Sequence, residues 1–163
     1  MSLPAGFTPD PERDLVLTRE IDVPPAALWK AWTEPERVQQ WFTPRPWTTP
    51  ECEIDLRPGG IFRTVMRGPD GEEGDGTGCY LEIVPHERLV WTSAMSPGFR
   101  PNPPEDLAFT AIISIEAIDS GTRYTVVVMH STVAGARQHE EMGFFDGWGA
   151  AIDQLVEHVK SSS

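Results

Sequence analysis

The stretch EEMGFFDGWGAAIDQLVEHVK, Glu140 to Lys160, decides the fold. Its apolar residues Phe145, Trp148, Ile152, Leu155 and Val159 recur at steps of three and four, the spacing that lines one face of an α-helix. A long helix with one apolar stripe must lie against another layer, and the chain upstream supplies strands for it. Glu51 to Leu56, Ile61 to Arg67, Thr77 to Val84, Arg88 to Ser93, Ala108 to Ala117 and Thr122 to His130 read as strands. Pro58-Gly59-Gly60, Gly68-Pro69-Asp70-Gly71, Pro85-His86-Glu87 and Asp119-Ser120-Gly121 turn the chain between most of them. Such short links imply antiparallel neighbours. Ahead of them, Leu15 to Ile21 alternates as a first strand. Asp22 is placed to cap a helix opened by Pro24 and Pro25 that runs through Leu28, Trp29 and Trp32 to Thr33. Glu34-Pro35 restarts a second short helix ending near Trp41, and the proline-dense FTPRPWTTP, residues 42 to 50, reads as a loop. The expected class is α+β, a bent antiparallel sheet of about seven strands wrapped around a long C-terminal helix, with two short helices after the first strand.

At 163 residues the chain fits one domain, expected over 14–160 behind a flexible segment of residues 1–13. A domain this size buries roughly 70% of its unfolded surface, enough for a core and a cavity. Thirteen Lys and Arg against 25 Asp and Glu give a formal charge of -12, which repels nucleic acid and anionic lipid alike. No run is apolar enough for a membrane span or a signal peptide, so the cytoplasm is the expected compartment and no membrane partner is expected. Cys52 and Cys79 are the two cysteines and have no C-x-x-C spacing, which predicts reduced thiols without a metal.

Sorting each strand by polarity puts Phe62, Thr64 and Met66 on one face and Arg63 and Arg67 on the other. The same reasoning turns Trp91, Phe109, Ala111, Ile113, Tyr124, Val126, Val128 and His130 inward, toward Phe145 and Trp148 of the helix. With Trp41, these form the predicted lining of an apolar cavity, in which Gly147, Gly149, Ala150 and Ala151 leave room. The bland alternative is that all of them pack a filled core. His130 needs a hydrogen-bond partner to be more than a buried structural group. Arg19 shares the parity of Leu17 and Ile21, and Asp146 or Glu141 is its predicted ion-pair partner. The run GPDGEEGDGTG, residues 68–78, lacks the spacing of a calcium loop and has no helix behind it to hold phosphate, so it reads as a hairpin turn. His139-Glu140-Glu141 lacks the second His of a zinc protease, and no Ser sits in G-x-S-x-G. No catalytic residue and no cofactor is assigned.

Several of these segments together resemble a known family. R-E-I-D-V-P-P-A-A-L-W-K-A-W-T-E-P-E at 19–36 is similar to its opening strand and helix pair. Trp41-Phe42, Leu56-Arg57-Pro58-Gly59-Gly60, Gly68-Pro69-Asp70-Gly71, Pro85, Arg88-Leu89-Val90, Thr92 and Gly147-Trp148 with Leu155 follow in the family's order. The family is the heat-shock-protein ATPase activator-like group of the START-like (SRPBCC) superfamily. The resemblance implies the helix-grip fold, which is also that of Bet v-like proteins. The superfamily includes lipid carriers, polyketide cyclases, hormone receptors and ring-oxygenase subunits, so the fold alone does not choose an activity. The first expectation is therefore a module that binds an apolar or aromatic small molecule, with Met95 to Asp106 as a lid. The rivals are a cyclase- or hydrolase-type enzyme using His130 and Tyr124, and a chaperone-interacting stress-response module. Either a monomer or a homodimer fits these readings.

Overall fold

The computed structural model describes residues 3–105 and 107–162. The first strand, β1 (Asp14–Ile21), is followed by α1 (Pro25–Thr33) and α2 (Pro35–Trp41). Next come β2 (Thr48–Ile54), β3 (Ile61–Arg67), β4 (Glu73–Val84) and β5 (Arg88–Thr92). A two-residue pair, β6 (Met95–Ser96) and β7 (Arg100–Pro101), precedes β8 (Phe109–Ile118) and β9 (Gly121–His130). Two helices, α3 (Val133–Glu141) and α4 (Phe144–Ser162), complete the order. The seven long strands form one antiparallel sheet in the order β1-β9-β8-β5-β4-β3-β2. One face packs against α1, α2 and α4 through Trp32, Trp91, Ile113, Val126, Ile152 and Leu155.

The edges of the sheet explain one correction. The segment expected to be loop through residue 50 already pairs with β3 from Thr48, and Pro50 falls where the register shifts between Thr48 and Glu51. β2 is an outer strand, where a residue without an N–H costs no ladder bond. At the β8–β9 turn, Gly121 has φ +141, and a Cβ there would stand 2.2 Å from the carbonyl oxygen of Ile21. Only glycine fits this crossing beneath the end of β1.

The first helix begins differently from expectation. Pro24 is the N-cap residue of α1 and no side chain caps it. Asp22 lies too early, and instead takes a 2.7 Å hydrogen bond from Lys160 Nζ at the far end of α4. Within the segment expected to be flexible, residues 1–13, Leu3 and Phe7 pack against Val90, Ile112 and Val127 on the outer face of the sheet.

The predicted single helix from Glu140 to Lys160 is divided between two helices. α3 starts at Val133, capped by the Thr132 hydroxyl, which accepts from Gly135 N at 2.9 Å. It ends before Gly143, whose φ of +97 is the left-handed conformation that stops a helix. The restart at Phe144 resolves the ambiguity of the Phe144-Phe145 pair, either of which is helically spaced from Trp148. Phe144 is buried and Phe145 is 37% exposed, so the inward placement of Phe145 is corrected.

Candidate functional site

The interior expected to be a cavity between Trp91, Tyr124 and Trp148 is filled, and Trp32 of α1 fills it. Its indole lies 5.3 Å from that of Trp91 and 6.2 Å from that of Trp148, centroid to centroid. Its Nε1 donates to the Tyr124 hydroxyl at 3.1 Å. Phe62, Trp91, Ala111, Ile113, Tyr124, Val126 and Val128 are consequently core, each no more than 5% exposed. Burial raises the Tyr124 hydroxyl above its ordinary range, with the Trp32 bond a smaller opposing effect.

A cavity of about 310 Å³ lies instead at the start of α4. Of the residues assigned from sequence, Trp41, Met66, Phe109 and Trp148 line it. The rest of the wall comes from Phe42, Thr43 and Pro44 after α2, His139 of α3, Met142 and Gly143 at the helix junction, and Phe144, Gly147 and Ala151 of α4. Among the described residues no Lys, Arg, Asp or Glu lines it. The helix face is the stripe of 144, 147, 148 and 151, and its small members leave the space: a Cβ built on Gly147 meets no atom within 4 Å. Gly149, expected to share that role, accommodates Arg19 instead, since a Cβ there would lie 2.7 Å from Arg19 Nη2. Arg19 is half-exposed and pairs with Asp153 at 3.5 Å, not with Asp146 or Glu141.

Gln154 fixes the opposite wall. Its side-chain amide donates to the carbonyls of Trp41 and Thr43 at 3.0 and 2.8 Å and accepts from Arg45 N at 2.9 Å. The Trp41 Nε1 donates to Ala31 O at 3.0 Å, and the Thr43 hydroxyl is bonded to that of Thr49. The polar groups of this wall are thus largely engaged with one another, which leaves apolar surface for an occupant.

The third wall holds the polar feature of the site. His130 is buried, with Nδ1 2.9 Å from the carbonyl oxygen of Arg13 and Nε2 2.9 Å from Nδ1 of His139. A carbonyl only accepts, so His130 carries a proton on Nδ1, and with the ring neutral its Nε2 presents a lone pair. His139 must then donate from Nδ1, which leaves its own Nε2 as an acceptor. The His139 ring packs against Phe109 and Phe144 with centroids 5.3 and 5.2 Å away. Burial, helped by repulsion from His130, lowers its pKa to about 4, so it is neutral at neutral pH. His130 therefore finds the partner it needs, and stands one residue behind the cavity wall. Spacing gives no sign of the pair, because the two residues meet only through the turn into a helix with little apolar periodicity.

The remaining candidates lie elsewhere. β6 and β7 fold Met95 to Pro101 into a separate hairpin, none of residues 95–105 lines the cavity, and Asp106, the last residue of the expected lid, is outside the described residues. Cys52 and Cys79 are free thiols. Burial, with the Glu36 charge second, pushes Cys52 up to about 12, so it stays protonated and is a poor nucleophile. Among the described residues no three His, Cys, Asp or Glu side chains gather as a metal site, and no helix is long and apolar enough to cross a membrane.

A curved antiparallel sheet closed over a C-terminal helix, with two short helices after the first strand, defines a protein of the helix-grip, START-like class. The chain belongs to the Activator of Hsp90 ATPase homolog 1-like family, whose profile matches residues 22–160. A crystal structure of a protein from Nitrosomonas europaea is 46% identical, with a TM-score of 0.90 over 94% of this chain and 97% of that one. A protein of Rhodobacter sphaeroides shares the fold at 21% identity and a TM-score of 0.82, covering 96% and 98% of the two chains. An Aeromonas hydrophila protein described as AHSA1-like does so at 20% and 0.71, covering 91% and 93%. No curated protein matches the chain significantly.

Proposed function

We propose that this protein binds one small apolar, ring-bearing molecule in the cavity at the start of α4. The observation that carries the reading is unfilled apolar space against Gly147, walled by Trp41, Phe109 and Trp148. Small-molecule sites run from about 300 Å³ upward, and about 150 Å³ already holds benzene, so a volume of 310 Å³ suits a one- or two-ring compound. Free cysteines support a reducing, cytoplasmic setting. The rival enzymatic reading needs Tyr124 and His130 in one cavity. The Tyr124 hydroxyl is bonded to Trp32, and His130 sits behind His139.

The test is titration with an environment-sensitive apolar dye. Binding saturates near one equivalent and alters tryptophan emission, because Trp148 and Trp41 form the wall. Gly147→Leu puts a side chain into the open space and raises helix propensity by up to about 1 kcal/mol, so it stays folded and loses at least about tenfold in affinity. Undiminished stoichiometric binding by folded Gly147→Leu places the site elsewhere.

A further inference from the structure

The cavity's chemistry goes further than its shape. Its described wall contains no Lys, Arg, Asp or Glu, and its polar ring, His139, has Nδ1 already committed to His130. The carbonyl of Arg13 fixes the tautomer of His130, which in turn fixes that of His139. This chain of main-chain acceptor, ring and ring leaves Nε2 of His139 with a lone pair and no partner among the described residues. A ligand anion would meet that lone pair with no Lys or Arg among the described wall residues, and would lose its hydration without compensation. A ligand N–H or O–H would meet an acceptor already oriented by two hydrogen bonds.

We infer that the ligand is a neutral aromatic or apolar compound bearing a hydrogen-bond donor, of the phenol, naphthol or indole kind, whose donor bonds to His139 Nε2. This rests on the binding reading above and names the ligand class for the same cavity. The low pKa of His139, caused first by burial and then by His130, supports it by keeping the ring neutral. The facing groups are His130 from β9, the Arg13 carbonyl ahead of β1, Phe109 from β8 and Phe144 from α4.

Three isosteric probes test it at neutral pH by calorimetric titration: naphthalene, naphthol and naphthoate. Naphthol binds about five- to tenfold tighter than naphthalene, the worth of one hydrogen bond to an oriented acceptor, and naphthoate binds weakest. In His139→Leu the naphthol-to-naphthalene ratio falls to about one. Nitrogen-15 NMR of the wild-type histidines, which needs no variant to fold, shows His139 protonated at Nδ1, with its Nε2 signal moving when naphthol is added. Equal binding of naphthol and naphthalene, preference for naphthoate, or a proton on Nε2 of free His139 overturns the inference and leaves the cavity reading standing. Failure of all three probes to bind overturns that reading, and this inference with it.

Discussion

Two tyrosines on the core face of the sheet have opposite energetic standing. The Tyr124 hydroxyl accepts from Trp32 Nε1, so Tyr124→Phe strands a buried indole N–H and costs about 1 to 3 kcal/mol. The Tyr80 hydroxyl is equally buried, 5.6 Å ring to ring from Phe62, and has no hydrogen-bond partner among the described residues. Tyr80→Phe removes an unpaired polar atom and leaves the ring, so stability stays the same or rises by up to about 1 kcal/mol. Urea unfolding of the two variants checks this, and equal losses would contradict it. Sequence distinguishes neither tyrosine. Strand parity turns Tyr124 inward correctly, but whether a hydroxyl finds a donor depends on a helix more than ninety residues away in sequence.

At the scale of elements, α3 is the part of the site held least by apolar packing. Its buried residues are Gly135 and Ala136, and His139 adds the bond to His130. The pKa of His139 in the docked helix, about 4, lies below its ordinary value of 6.5. An undocked α3 therefore binds more protons between these values, so docking is at full strength above about pH 6.5 and weakens as pH falls toward 4. His158 of α4 is lowered too, by burial and then by Arg37, and acts in the same direction at the other end of that helix. Hydrogen exchange corrected for intrinsic rates will show protection of the α3 amides falling over this range while β8 and β9 stay protected. Protection of α3 independent of pH would refute it. The strands are legible in sequence because alternation and turn residues agree along them. α3 is illegible over residues 133–139, because it has no apolar stripe between its Thr132 cap and its Gly143 stop, and only its last two residues, Glu140 and Glu141, fall within the predicted helix.

For the whole molecule, the order of the seven long strands, the two short helices after β1 and the final helix follows from periodicity and turn residues, and the location of the open space does not. Trp41, Met66, Phe109 and Trp148 line the open space because they lie near the ends of their elements, by the start of α4. Phe62, Trp91, Ala111, Ile113, Tyr124, Val126 and Val128 fall into filled core because one side chain, Trp32, enters from α1, and no pattern along a strand reveals what a helix inserts opposite it. The central claim is that the unfilled space receives a ligand. Its most direct test is two-dimensional nitrogen-15 NMR of the wild-type protein titrated with naphthol. The account predicts shift changes that saturate near about one equivalent and concentrate on the Gly143, Gly147 and Ala151 amides and the Trp148 indole. Changes centred on Ala111 and Tyr124, or none anywhere along the start of α4, would contradict it.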